Sequence, residues 1–397
     1  MVVVIPCYFE PDIISTLQSL TRCDPVSGSV EIIVVVNQST SAPPEVRKHN
    51  DHTIRHINQW INSQTSELSF YVLHQILPER HAGVGLARKI GMDQAFGRFS
   101  TLNKDGIIIC LDADCTCAGN YLQAILEHFE IHRQTPGCSI YYEHPLEGSL
   151  PLEQYRTITA YELHLRYYTH ALRYCRLPCA FQTVGSAMAV SASAYQKQGG
   201  MNKRKAGEDF YFLQKIIKLG GFTELNTTAV YPSARLSDRV PFGTGKAMIR
   251  HTEPGNSQFL TYHPNTFVDL KSFTEHLPGL YRASDPEIVK SWRTFPPAIR
   301  GFITLDAFSK QILEFNRKTS SPKTFEKRLF QWFDGLQAFK FANYTRKYHY
   351  PEVGVAEASG WLLKKTYGIE SAGNDEKILL MQYRALDSRQ KMRTIED

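Results

Sequence analysis

Residues 106–122 read GIIICLDADCTCAGNYL, an apolar run that ends in two acids one position apart, Asp112 and Asp114. A short continuous apolar run bounded by turn residues is the pattern of a strand covered on both faces, as in a parallel sheet flanked by helices. The acids that close it have two readings. In one they cap the next helix and solvate a turn. In the other they hold a divalent cation, because hard carboxylate oxygens completed by phosphate oxygens and water suit Mg2+ or Mn2+. Asp-x-Asp occurs by chance in many chains, so its surroundings have to decide.

Upstream, buried strands alternate with helical stretches. VVVIPCY (residues 2–8), VEIIVVVNQST (30–40) and LSFYVLHQIL (68–77) read as strands. PDIISTLQSL (11–20) places Ile13, Ile14, Leu17 and Leu20 on one helical face, INQWINSQ (57–64) reads as helical, and GVGLARKIGMDQAFGRF (83–99) reads as a helix with Leu86, Ala87 and Ile90 facing inward. Strand and helix in alternation imply a mostly parallel, doubly wound α/β sheet. Ligands of such sheets bind beyond the carboxyl ends of the strands. Pro6-Cys7-Tyr8, Asn37-Gln38-Ser39 and Asp112-Ala113-Asp114 all fall at such ends.

Further on, residues 151–177 form a long helix carrying Tyr155, Tyr161, Tyr167, Tyr168 and Tyr174, rings that suit sugar stacking or core packing. Residues 182–222 give a strand, a short helix, a basic NKRK loop and a helix opened by Gly207-Glu208-Asp209, with Phe210, Leu213 and Ile217 on one face. Acids in a first helical turn are favoured by the helix dipole alone. A strand and an arginine-rich loop follow, in which Arg235, Arg239 and Lys246 flank Gly243-Thr244-Gly245. HTEPGNSQ (251–258) reads as a connector. Beyond it the periods are helical, and Phe325, Leu329, Trp332 or Phe333, and Leu336 make a stripe that suits a core. The division expected is therefore 1–250 for the α/β domain and 251–397 for a mainly helical region.

Composition narrows the classes. At 397 residues, 42% hydrophobic and 21% charged, the chain suits an ordinary globular protein of one large domain plus an appendage, or of two domains. A net charge of +6 without a Lys/Arg run points away from nucleic acid but suits phosphorylated ligands or an anionic membrane surface. Cys115-x-Cys117 and Cys175-x3-Cys179 lack the paired spacing of a structural zinc site, so the eight cysteines read as reduced thiols of a cytosolic protein. The leading apolar run is too short for a signal peptide core or a membrane span, and no basic leader precedes it. A cytoplasmic location is expected, with peripheral membrane contact through the basic residues Lys323, Lys327, Arg328 and Lys340 left open.

In sequence order, VVIPCYFEPDIISTLQSL, EIIVVVNQST, GVGLARKIGMDQAF, CLDAD and GSAMAVSASAYQKQGGMNKRKAGEDFYF resemble the blocks of family-2 glycosyltransferases of the GT-A fold, over roughly residues 1–250. The resemblance implies a Rossmann-like sheet that takes a nucleotide-sugar donor, UDP- or GDP-linked, and a carbohydrate or lipid-linked acceptor, with Mn2+ or Mg2+ as cofactor. It puts Pro6, Tyr8 and Glu10 in the nucleotide pocket, Tyr8 against the base, and Asp112 and Asp114 at the metal and diphosphate. Asp209 becomes the base that deprotonates the acceptor hydroxyl, with Glu208 beside it, and a single displacement would invert the anomeric centre. Arg88 or Lys89 faces the donor phosphates or a solvated helix surface. His251, or Asp238, stands where a third metal ligand would come. Val36-Asn37-Gln38-Ser39 replaces the Asp-Asp-Gly-Ser the family often has, leaving Asn37 as a contact to a base edge or as a turn residue. Two other readings stand beside this one. A nucleotidyltransferase usually has a Gly-rich loop after the first strand, which IPCYFEP lacks, and a non-catalytic carbohydrate-binding scaffold would not need three intact acids.

Overall fold

The computed structural model describes residues 1–235, 258–370 and 373–389. Strands β1 (Val2–Cys7), β2 (Glu31–Ser39), β3 (Ser69–Leu77) and β4 (Ile107–Cys110) appear where the apolar runs place them, with every residue of β1 and β4 buried. β2 is parallel to β1 and β3, and β1 is parallel to β4. Between them lie helices α1 (Ile13–Thr21), α2 (Pro44–Ser63) and α3 (Val84–Thr101).

The second half of the sheet is mixed. β5 (Cys115–Cys117), β6 (Gly137–Tyr142), β7 (Met188–Ser191) and β8 (Thr223–Pro232) complete eight strands in the order β3-β2-β1-β4-β7-β6-β8-β5. β7 runs antiparallel to β4 and β6, β8 is parallel to β6, and β5 is antiparallel to β8. Helices α4 (Tyr121–Ile131), α5 (Leu152–Tyr174), α6 (Ala192–Lys197) and α7 (Glu208–Ile217) connect these strands. The mostly parallel, helix-flanked sheet expected of the GT-A type is present.

α3 corrects one expectation. Of Leu86, Ala87 and Ile90, only Ala87 is buried; the inner face is Gly85, Ala87, Arg88, Gly91, Met92, Ala95 and Phe99. A Cβ on Gly91 would lie 2.3 Å from Val4 Cγ1 and 3.1 Å from Val35 Cγ2. The helix thus lies on β1 and β2 through glycine, and packing this close needs small residues more than hydrophobic ones.

The chain divides into two compact units: residues 1–159, 183–255 and 384–397 in one, and 160–182 and 256–383 in the other. The second unit is almost wholly helical. Its core holds Phe273 with Phe295 and Phe333, ring centroids 5.1 Å apart in both pairs, in tilted-to-perpendicular arrangements. Phe325, Leu329 and Phe333 are buried, so their stripe is core. The helix that carries it stops at Trp332, and Asp334 caps the next by accepting from Gln337 N at 2.9 Å. Tyr167 is packed in the same unit, its hydroxyl donating to Tyr262 O. Among the described residues no helix is long and apolar enough to cross a membrane.

Candidate active site

Arg88 sits one turn into α3 with its side chain 1% exposed, which excludes the solvated-face reading. A buried guanidinium is tolerated only when its charge and donors are matched. Here Nη2 donates to Asp112 Oδ1 at the end of β4, and Nη1 donates to Glu208 Oε1 at the start of α7. Burial works against the charge of Arg88, but Asp112 and Glu208 outweigh it and hold its pKa well above the ordinary value. Lys89, by contrast, is partly exposed and pairs with Asp93 one turn on.

Two glycines make the cluster possible. Gly207, at φ 67°, takes the left-handed conformation that turns the chain into α7 and sends Glu208 inward. Gly185 lies against Arg88: a Cβ there would be 2.7 Å from Nη1 and 2.9 Å from Nη2. The same residue's N–H donates to Asp209 Oδ2 at 2.9 Å, while Phe210 N–H donates to Asp209 Oδ1 at 2.7 Å. Asp209 is thus held by two backbone donors and is partly exposed. Burial pushes its carboxyl above the ordinary aspartate range, and the nearby Arg88 pulls it back. Glu208 is 3% exposed, and burial pushes it up to about 7 against the opposing pull of Arg88.

The turn between Asp112 and Asp114 is held from two sides. Thr16 Oγ1 on α1 donates to Ala113 O at 2.8 Å, and Ser233 N just past β8 donates to Asp114 O at 3.2 Å. Asp112 leans to Arg88. Asp114 opens on a cleft of about 400 Å³ whose lining includes Asp12, Ser15, Thr116, Tyr155, Tyr231 and Arg235. Among the described residues no three His, Cys, Asp or Glu side chains are grouped so that they could hold a metal ion. A cation that keeps waters and takes phosphate oxygens needs only one or two carboxylates; of the two acids here Asp114 lines the cleft, and Asp112 is engaged by Arg88.

The remaining expected residues lie at the ends of β1 and β2. Pro6 is buried and Tyr8 is half-buried. Glu10 is buried, its Oε1 accepting from Arg235 Nη2 at 2.7 Å and from Asp12 N at 3.0 Å. Asn37 is buried too, and its amide donates to Cys7 O at 2.9 Å. Asn50 on α2 ties this corner together by donating to Asn37 O and Gln38 Oε1 and accepting from Phe9 N. His251, Asp238, Arg239, Lys246, the 243–245 hinge and most of the 251–258 connector lie outside the described residues. Gly185 and Asn50 were not anticipated. A Gly directly before the small-residue run SAMAVS was a legible signal for the first; nothing in its local pattern marks the second.

Residues 2–190 match the family model described as glycosyl transferase family 2. No curated protein matches the chain. Among solved structures, TarS residues 1–349 of S. aureus in complex with UDP-GlcNAc is 14% identical, with 84% of this chain and 90% of that one covered at a TM-score of 0.44. The mannosyltransferase PcManGT of Pyrobaculum calidifontis, in complex with GDP-Man and Mn2+, is 12% identical over 98% of this chain and 86% of that one, at a TM-score of 0.37.

Proposed function

Because residues 2–190 match the model of glycosyl transferase family 2, we propose that this chain transfers a sugar from a nucleoside-diphosphate sugar to an acceptor hydroxyl, using the cluster at the end of β4. One observation carries the reading: Arg88, Asp112, Glu208 and Asp209, from α3, β4 and α7, converge at the carboxyl end of a central strand. That is where open α/β sheets bind ligands.

Each residue then has a distinct task. Asp209, fixed by the N–H groups of Gly185 and Phe210, takes the proton of the acceptor hydroxyl during attack. Its raised pKa makes it a stronger base than an ordinary aspartate. Attack from the face opposite the leaving group inverts the anomeric centre. Glu208 is buried against Arg88 and acts as a positioning residue, holding the guanidinium that in turn orients Asp112. Asp114 faces the cleft with Arg235, a cation within reach of a diphosphate. Mn2+ or Mg2+ bound by Asp112 and Asp114 would neutralise charge on the departing nucleoside diphosphate. Tyr8, half-buried past β1, offers a ring to the base of a UDP- or GDP-sugar. The acceptor is a carbohydrate or lipid-linked glycan of a surface polysaccharide or glycolipid, met in the cytoplasm at the inner face of a membrane.

A thermal-shift screen of UDP and GDP with and without Mn2+ or Mg2+ tests this. One nucleotide should raise Tm only with the metal, and Asp114→Ala should remove the metal-dependent part. If neither nucleotide with metal shifts the melt, and no nucleotide sugar is turned over, the reading fails.

A further inference from the structure

Cys23 and Cys117 are 94 residues apart in sequence, yet their sulfurs lie 3.7 Å from each other. The backbone beside them is already joined: Asp24 N–H donates to Gly119 O at 2.7 Å. Ser19 completes the arrangement, its hydroxyl 3.5 Å from Cys117 Sγ and its carbonyl 3.5 Å from Cys23 Sγ. The other six cysteines are buried, whereas these two are partly exposed. From the geometry we propose that Cys23 and Cys117 are a reversible dithiol pair, closing to a disulfide under oxidation and fastening the end of α1 to β5.

A disulfide brings its sulfurs to about 2.05 Å, so the approach still required is about 1.7 Å, a movement on the scale of side chains. The oxidant is a low-molecular-weight disulfide such as oxidised glutathione. The sulfur of Cys23, as thiolate, attacks one sulfur of that disulfide; the S–S bond breaks, and glutathione leaves as a thiolate that takes up a proton. Cys117 then loses its proton and its sulfur attacks the Cys23 side of the mixed disulfide, releasing a second glutathione thiol. Two protein thiols are oxidised and one glutathione disulfide is reduced to two thiols. The asymmetry of the pair suits this order. The hydrogen bond between the two sulfurs lowers the pKa of Cys23, while that bond and burial raise the pKa of Cys117. Cys23 also borders exposed Arg22 and Asp24, where the oxidant has access.

The bond would link two walls of one cleft. Ser15 and Thr16 on α1 and Asp114 and Thr116 around β5 all line it, and Thr16 already holds the carbonyl of Ala113. Oxidation state therefore bears on the segment that carries the Asp112–Asp114 turn, and the pairing itself does not depend on the proposed activity.

The test uses the full chain, treated with oxidised glutathione, alkylated and digested without reduction. The expected result is an intact mass lower by two hydrogens and a linked peptide containing Cys23 and Cys117, both reversed by dithiothreitol and both absent in Cys23→Ser and Cys117→Ser. Alkylation of both cysteines, arrest at a glutathione adduct on Cys23, or linkage to another cysteine would each overturn the proposal. Urea unfolding of the wild-type chain supplies a second arm. By linkage a fold that favours the bond is favoured by it, so the oxidised midpoint should lie above the reduced one, with no change in Cys23→Ser. A midpoint that falls on oxidation refutes a pair pre-positioned by the fold.

Discussion

Replacing Arg88 by methionine keeps much of the side-chain length in α3 but removes the cation that faces Asp112 and Glu208. The two acids respond differently. Asp112, 35% exposed, remains hydrated and adds only ~0–1 kcal/mol to the loss. Glu208, with its side chain 4% exposed, is left as an unpaired buried carboxylate, and removing one partner of a buried pair costs about 3–5 kcal/mol. Against a total stability of about 5–15 kcal/mol this is a large fraction. The loss should depend on pH. In the wild-type chain Glu208 is raised from 4.5 to about 7, so its neutral form is favoured by folding. The stability it contributes is complete below the unfolded value and is lost as pH rises through about 7. Without Arg88 its folded pKa rises further, so the deficit of Arg88→Met should be smaller near pH 5 than near pH 8. Urea unfolding at both pH values measures this, and adding Glu208→Gln should recover most of the deficit at the higher pH. A deficit below about 1 kcal/mol at pH 8, or one equal at the two pH values, would refute the buried-pair account.

Two further outcomes follow from the same cluster. Gly185→Ala puts a methyl carbon 2.7 Å from Arg88 Nη1 and should destabilise by about 1–3 kcal/mol in urea unfolding, with a smaller effect in the Arg88→Met background because the clashing group is gone. Asp209→Asn leaves one of its two N–H donors facing an amide nitrogen and removes the base. Turnover should fall about 10²–10⁴-fold while nucleoside diphosphate binding, followed by calorimetry, is retained.

The blocks that resemble the family also contain the acids of the candidate site, because the acids that follow β4 and open α7 lie at element boundaries visible in local pattern. The same windows misjudge α3. Hydrophobicity selects Leu86 and Ile90, yet the buried face carries Gly85, Arg88 and Gly91, since close contact with β1 and a charge matched from two other elements outweigh apolar character. A solvated surface position for Arg88 is excluded by partners 24 and 120 residues away.

What the sequence determined by itself is the order of buried strands and helices in the first half and the acids at their ends: an apolar run or a helical period is set by neighbours within one element. Tertiary structure alone decided that β7 runs antiparallel between β4 and β6, and that Arg235 closes on Glu10 across 225 residues. It also decided that Asn37 bonds Cys7 and that a glycine at 185 makes room for a guanidinium. Such features depend on which distant groups meet in space, and the cost of burying a charge or a polar group is settled only by the partner it finds there.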